Sequence, residues 1–463
     1  MKNIIFKTIA VALVFTGLNS CRKGDDLYVS PNAPSAATPA SMLSACEVGT
    51  FNSLEGGTVR IASIFMQHSS GVYGQMVQPE EYAPIESDMD NYWNVLYPNM
   101  LNCKLLGDNF GAVDPNYRGI SRILMAMNLG LVTDMWGDCP YSEAFQGASG
   151  NLAPHFDPQQ SVLSAIQTLL DGAISDLANT SNNVVPGTDD FIFKGNTAAW
   201  TKVAWTLKAR YYMRLSKKTG FDPNVVLTDL ANGIASNADN CNSIHGSAGA
   251  ETNGWAAFLN NRYGYVVGCQ TLIDSMGNMA DPRTPYYFDT TYEGNIAIGN
   301  ALGNLNPNVS SWGPYLGGLD NTETANPTKS VPLVSFAEAK FLEAEAKLRI
   351  NASDPTAVTS LNAAITASIS EVTGTPFSGT LPVTYTAANT TIHTVILEKW
   401  KAMFADPVES YADYRRTGFP VLKMNPLGLL PYIPKRLPTS EQERTTNPNA
   451  PTPSLGTAVW YAQ

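Results

Sequence analysis

The strongest constraint on the fold is a series of Ala-rich segments in which apolar residues recur at the spacing of an amphipathic α-helix. One helix is predicted from Asp157-Pro158, because an acceptor side chain, a proline in the first turn and Gln160 at the capping-box position mark a helix start. The same spacing predicts further helices around 117–135, 198–217, 335–349 and 391–406, and from 354. Together they indicate a mainly α-helical fold.

Long irregular stretches separate these helices. The largest, 294–332, is rich in Gly and Asn and contains Trp312, Pro314 and Tyr315. A loop of this length is usually functional or disordered. The sequence therefore predicts one lobe of helical scaffold and a second lobe built of long loops.

The N-terminus has the layout of an export signal, with Lys2 and Lys7 before the apolar run Thr8–Leu18. The run is about half of the roughly 20 residues that a bilayer-spanning helix needs. The following Leu18-Asn-Ser-Cys21 resembles a bacterial lipobox, although Asn19 departs from it. The resemblance implies a signal peptide over 1–20 and a lipidated Cys21. The alternative is an ordinary secreted protein.

The expected mature chain is a lipid-tethered body that does not span the membrane, since no other stretch reaches 18 apolar residues. Residues 21–41 are expected to form the lipidated N-terminus and a tether, because 30–41 is rich in Pro, Ala and Ser. Residues 42–463 then form the folded domain.

The net charge of −11, without a basic run, argues against binding nucleic acid, whose phosphates require Lys and Arg. An uncharged ligand such as a glycan fits this charge better. No cofactor is predicted, because the cysteines lack a C-x-x-C pair and the chain has only four histidines. We expect these cysteines to be small buried hydrophobic residues, with one disulfide left open: Cys46, Cys103, Cys139, Cys241 and Cys269.

Motifs for a catalytic serine, a metalloprotease, a phosphate loop or a dinucleotide site are not found, so the chain is not expected to be an enzyme. Glycosidase carboxylates stay possible, since the fold and not the spacing sets their separation. Asp88-Met-Asp-Asn91 is a weak calcium-loop pattern that lacks the required Gly and distal Glu. A solvated turn is the alternative.

Several segments, in order along the mature chain, resemble the motifs of SusD/RagB-type outer-membrane lipoproteins, and in particular the SusD-like branch with an R-R-T-G-x-P turn. Those segments are 26–34, Leu131–Ala144 (LVTDMWGDCPYSEA), 335–349, 398–404, 409–420 (ESYADYRRTGFP) and 433–449. The resemblance implies a SusD-like fold in which four degenerate TPR-like helix pairs support an irregular ligand-binding lobe. It also implies a nutrient-binding lipoprotein on the extracellular face of the outer membrane, capping a SusC-type TonB-dependent transporter.

Residues of these motifs are expected to act structurally. Asp134, Gly137 and Asp138 fit a turn after a helix, and Arg415 and Arg416 fit contacts between C-terminal loops and helix ends. Ligand contact is the alternative for each.

Binding residues in such a family lie in variable loops, so aromatic loop residues are the physical candidates for stacking on a sugar ring. The candidates are Trp312, Tyr315, Trp255, Tyr73 and Tyr82. Glycine and proline around Trp312 and Tyr315 are expected to hold both side chains out from the scaffold. The alternative for each is a core or loop-anchoring role. The tryptophans within helical patterns are expected in the core: Trp93, Trp136, Trp200, Trp205 and Trp400.

The expected ligand is an oligosaccharide. Two alternatives stay open at this stage: a binder of peptides or another nutrient in the same complex, and a surface glycoside hydrolase.

Overall fold

The computed structural model describes residues 37–290, 296–319 and 325–463. The predicted signal peptide, Cys21 and most of the predicted tether lie outside these residues. Within them, every helix is too short or too polar to cross a bilayer.

Helices make up most of the regular structure, as the sequence predicts. Up to residue 287 they are α1 Pro39–Leu54, α2 Gly57–Phe65, α3 Val77–Glu80, α4 Glu86–Phe110, α5 Pro115–Trp136, α6 Gln159–Leu177, α7 Thr197–Met213, α8 Pro223–Ala231, α9 Gly254–Asn261, α10 Gln270–Ser275 and α11 Thr284–Tyr287. After it they are α12 Phe336–Ile350, α13 Ala357–Thr373, α14 Ile392–Ala402, α15 Pro407–Thr417 and α16 Glu441–Thr446.

All six helices predicted from periodicity are present, as α5, α6, α7, α12, α13 and α14. Two of them end early, because the segment 214–217 is a 3-10 helix and α14 stops at Ala402. The long helix α4 was missed, since Pro98 lies inside it and normally breaks a helix. Thr38 caps α1, which begins at Pro39, so helical structure starts three residues before the predicted domain start at residue 42.

Consecutive helices pack side by side into one array. Helices α4 to α8 each contact the next along the chain, and α8 then contacts α12, which packs on α13 and α14. Helices that follow one another in the chain commonly become neighbours in space. That these helices form four TPR-like pairs stays a prediction.

A network of buried charges joins five parts of this array. The guanidinium group of Arg214, which follows α7, contacts Asp134 of α5 at 3.0 Å and also contacts Glu409 of α15. Further pairs connect Arg210 with Glu338, Lys399 with Asp413, and Arg416 with Glu345. Burial alone would raise the pKa of Glu409, but Arg214, Arg210 and Lys399 outweigh it and hold that pKa well below its usual value.

Two short antiparallel ladders occur between the helices. Strand β1 (Ser69–Gly71) pairs with β3 (Val266–Gly268), and β2 (Cys241–Asn242) pairs with β4 (Pro332–Val334). The first ladder joins segments almost two hundred residues apart in the chain, and it continues through a hydrogen bond of 2.9 Å from Val72 N to Tyr265 O.

Replacing Arg214 with Met is expected to lower the free energy of unfolding by about 3 to 5 kcal/mol, because Asp134 would stay buried without its cationic partner and Glu409 would lose one of its three. Urea unfolding followed by circular dichroism measures this change. Arg444→Met is the matched control, since Arg444 pairs with Glu86 at the surface and such pairs contribute about 0 to 1 kcal/mol. Equal losses in the two variants would contradict the role assigned to the network.

Candidate ligand-binding site

Four of the five aromatic residues proposed from the sequence are buried. Trp312 and Tyr315 are each 1% exposed, Tyr82 is 2% exposed and Trp255 is fully buried. The expectation that Gly and Pro hold Trp312 and Tyr315 out from the scaffold was therefore wrong. In this arrangement none of the four can stack on a ligand.

The loop around Trp312 lies against the core instead of leaving it. A Cβ atom added at Gly313 would come within 2.8 Å of the backbone of Phe288, so this glycine allows two chain segments to approach closely. The indole Nε1 of Trp312 donates a hydrogen bond of 2.9 Å to Ser69 Oγ, and its ring meets Trp255 edge-on at 5.0 Å. The buried Trp312 thus packs below the surface and holds strand β1 through its hydrogen bond to Ser69.

Tyr315 and Tyr82 anchor other loops. The Tyr315 hydroxyl donates to Glu371 Oε2 at 2.7 Å, and burial raises the pKa of Glu371 to about 7. The Tyr82 hydroxyl accepts a hydrogen bond of 3.1 Å from the backbone N–H of Asn425. Both tyrosines have the loop-anchoring role that was the alternative to ligand contact.

Tyr73, the fifth candidate, is 63% exposed, and the structure adds Tyr263, which is 65% exposed. Among the described residues, these are the two large aromatic side chains that lie mainly in solvent. Sequence reasoning missed Tyr263, although the aromatic-rich Tyr263-Gly-Tyr265 beside Asn261-Arg262 was a signal that could have found it.

The ladder of β1 and β3 places these two tyrosines on one surface. The ring of Tyr73 packs edge-on against Tyr265 with 4.9 Å between centroids. Gly74 has a φ of +57°, and a Cβ atom there would lie 2.3 Å from the Tyr265 ring, so glycine is required at this turn. Tyr73 and Tyr263, with Leu305, Asn306 and neighbouring loop atoms, line a groove of about 230 Å³ that we call the tyrosine groove.

A larger cleft of about 790 Å³ is lined by neighbouring residues of the same two segments, and we call it the arginine cleft. Gln75 and Met76, just after Tyr73, form one wall, and Asn261 and Arg262, just before Tyr263, form another. The remaining lining residues come from α2, α4 and α9: Arg60, Asp88, Asn91, Tyr92, Gly254, Ala257 and Phe258. The guanidinium group of Arg60 lies 4.3 Å from the centre of the Phe258 ring.

Two further cavities lie elsewhere. One of about 510 Å³ lies in the helical scaffold beside Lys104, Arg118 and Tyr141, and one of about 540 Å³ lies between α1 and the segment 244–252. Neither is lined by an exposed aromatic ring. The tyrosine groove and the arginine cleft together are therefore the best candidate for a site that binds a sugar.

The motif residues are structural, as expected. For Asp134 the expected place was wrong: it lies inside α5 and pairs with Arg214 in the charge network instead of shaping the turn after the helix. Asp138 Oδ1 accepts a hydrogen bond of 2.8 Å from Gln159 N at the start of α6. Arg415 Nη1 donates to the carbonyl groups of Asp134 and Lys435, which ties a C-terminal loop to the end of α5. Arg416 differs from the expectation, because its main partners are the carboxylates of Glu345 and Asp413.

The remaining predictions concern metals, cysteines and tryptophans. Asp88 and Asp90 belong to α4, where Asp90 Oδ1 accepts from Ser440 Oγ and Gln442 N next to α16, so the segment is no calcium loop. No group of three metal-ligating side chains occurs in the described ranges.

All five cysteines after Cys21 are buried and free. The helical tryptophans are buried except Trp205, which is partly exposed.

The sequence model of a SusD-like family, described as "Starch-binding associating with outer membrane", matches residues 31–437. The chain belongs to this SusD-like family. This match confirms the predicted resemblance. Members of the family are binding proteins, which confirms the prediction that the chain is not an enzyme. No curated protein matches the chain.

Solved structures of SusD-like proteins share the fold over most of their length. A SusD/RagB family protein from Bacteroides thetaiotaomicron has a TM-score of 0.75 and 22% identity, covering 92% of this chain and 99% of its own. A chitin-binding SusD homologue from Flavobacterium johnsoniae has a TM-score of 0.75 and 21% identity, covering 91% and 98%. A SusD homologue from Bacteroides ovatus has a TM-score of 0.69 and 20% identity, covering 91% and 99%.

Trp312→Ala is now expected to destabilise the SusD-like domain by about 3 to 5 kcal/mol, since it removes a buried indole and its hydrogen bond to Ser69. Chemical denaturation measures the loss. Trp312→Phe keeps most of the ring volume and is expected to retain more of the stability. If Trp312→Ala leaves the unfolding midpoint unchanged, the indole does not have the supporting role seen here.

Proposed function

We propose that this SusD-like protein is a cell-surface glycan-binding protein that captures oligosaccharides at the tyrosine groove. The observation that carries the proposal is that Tyr73 and Tyr263 are both exposed and line one groove, at the end of a ladder that is braced by the buried Trp312. Large aromatic rings normally bury most of their area, so two that lie in solvent at one groove indicate a binding surface.

The chemistry of the groove suits a sugar. The C–H face of a pyranose ring packs on an apolar ring, while its hydroxyl groups need polar neighbours. Asn306 on one side, and Gln75 with Asn91 in the adjoining cleft, supply amide groups that donate and accept hydrogen bonds. The starch-binding description of the family and the chitin-binding relative support the same ligand class.

The proposal includes the site of action. A lipidated Cys21 and the tether after it would hold the domain at the extracellular face of the outer membrane. There the protein would pass its ligand to a SusC-type TonB-dependent transporter, as the family resemblance implies. The description of the family as associating with the outer membrane supports this placement.

Tyr73→Ala and Tyr263→Ala are each expected to weaken oligosaccharide binding roughly 3- to 10-fold, taking about 0.5 to 1.5 kcal/mol for each ring contact. Isothermal titration calorimetry with malto-oligosaccharides, chito-oligosaccharides and acidic oligosaccharides measures these affinities. Trp205→Ala, on a partly exposed tryptophan of α7, is the matched control and should leave the affinity unchanged. Binding of peptides alone, or unchanged binding by both tyrosine variants, would contradict the proposal.

Cys21→Ala is expected to release the protein from the membrane fraction, because the lipid proposed at Cys21 is the anchor that the sequence indicates. Gentle detergent extraction of the native protein should also recover a TonB-dependent barrel with it, since a lid on a barrel buries a large surface. Fractionation and pull-down measure the two results. A Cys21→Ala protein that stays in the membrane without any barrel would argue against lipidation, and a native protein recovered alone would argue against the partner.

A further inference from the structure

Two arginines in the arginine cleft have no carboxylate partner among the described residues. Arg60 Nη1 donates to the backbone oxygen of Glu55 at 2.9 Å, and Arg262 Nη1 donates to the backbone oxygen of Asn261 at 3.0 Å. The Nε atom of Arg60 is buried without a hydrogen-bond partner. Both guanidinium groups therefore keep donors for a further acceptor.

This pairing pattern is unusual in the molecule. Most other described arginines lie within 4 Å of a carboxylate: Arg118, Arg122, Arg210, Arg214, Arg283, Arg349, Arg416 and Arg444. Arg415 and Arg436 are buried and donate to backbone carbonyl groups inside the fold. Among the described arginines, Arg60 and Arg262 are thus the two without an ion pair that line one of these cavities.

The carboxylates near the cleft do not neutralise both arginines. Glu55 is the nearest to Arg60, but its Oε1 contacts His245 Nε2 and its Oε2 accepts from Gly254 N, each at 2.9 Å. Asp88 also lines the cleft, and burial raises its pKa. Burial lowers the pKa of Arg60 to about 10, and Tyr92 and Glu55 only partly offset this effect. A negatively charged group would relieve the uncompensated charge.

We propose that the arginine cleft binds the anionic group, a carboxylate or a sulfate, of an acidic oligosaccharide whose neighbouring sugar ring packs on the tyrosine groove. The planar guanidinium fork of Arg262 can donate two parallel hydrogen bonds to either group. Gln75 lies two residues after Tyr73, and Arg262 directly precedes Tyr263, so the same two chain segments line both cavities, and the proposal places one oligosaccharide across them. This inference rests on the proposed glycan-binding function and narrows its ligand class.

The net charge of −11 predicts an uncharged ligand, whereas the two arginines of the cleft favour a ligand with an anionic group. Repulsion between exposed charges is largely screened beyond about 8 Å at physiological salt. Contact with two arginines inside a cleft is screened much less. The overall charge therefore slows the approach of an anionic ligand more than it weakens the bound state.

The test measures calorimetric binding of four probes to the full mature protein: tetragalacturonic acid for the carboxylate, a neocarratetraose sulfate for the sulfate, and maltotetraose and chitotetraose as neutral probes. We expect at least one acidic probe to bind tenfold or more tightly than both neutral ones, and its affinity to fall as salt rises. Preference for one acidic probe identifies the anionic group.

Arg262→Gln should weaken binding of the preferred acidic probe by tenfold or more and reduce its salt dependence, without changing stability, because Arg262 is exposed. Arg60→Gln should act in the same direction, and its unfolding midpoint is measured beside it because Arg60 also packs on Phe258. Lys104→Gln, which removes a scaffold charge of the same sign, is the matched control and should bind like the native protein.

Each outcome separates this inference from the proposed function. Tyrosine-dependent binding of neutral probes without an acidic preference overturns the inference and leaves the proposed function intact. Acidic binding that neither arginine variant weakens overturns the assignment to this cleft. If no oligosaccharide binds at all, the proposed function fails, and this inference fails with it.

Discussion

The buried charges around Arg214 and Glu409 hold the helical scaffold in a single arrangement. Five separate parts of the chain contribute to them, from Asp134 in α5 to Arg416 in α15. Each charge is desolvated, so removing one partner leaves other charges buried with fewer counter-charges. Apolar packing alone tolerates small shifts between helices, whereas this network requires specific side chains at specific positions. It also explains why acidic and basic motif residues occur in segments that are buried rather than exposed.

The candidate site depends on this scaffold only indirectly. Its frame is the ladder of β1 and β3, which joins two distant segments and presents Tyr73 and Tyr263 at one end. Beneath it, Trp312 and Trp255 pack edge-on, and Trp312 donates to Ser69 of β1. The aromatic residues of the loop lobe thus have two roles: the buried rings fix the ladder, and the exposed rings are free to contact a ligand. A binding surface held in this way loses little conformational entropy when it binds.

The net charge of the chain and the charges that line the arginine cleft have opposite signs. The whole chain is acidic, which disfavours nucleic acid and anionic surfaces at a distance. In the arginine cleft, however, Arg60 and Arg262 outnumber Asp88, the single carboxylate that lines it. A net charge averages over positions that never meet, whereas recognition depends on the few groups that contact the ligand. The composition therefore indicated the protein's long-range behaviour but not the chemistry of the cleft.

The sequence by itself determined six of the helices and the family. Apolar periodicity and capping residues act within a few turns of the chain, so α5, α6, α7 and α12 to α14 could be predicted from local patterns, and the ordered motifs indicated the SusD-like fold. Only the tertiary structure decided which aromatic residues face solvent. Trp312 and Tyr263 both lie in glycine-containing loops, yet one is buried and the other is exposed. That difference arises from pairing between segments far apart in the chain, which no local pattern encodes.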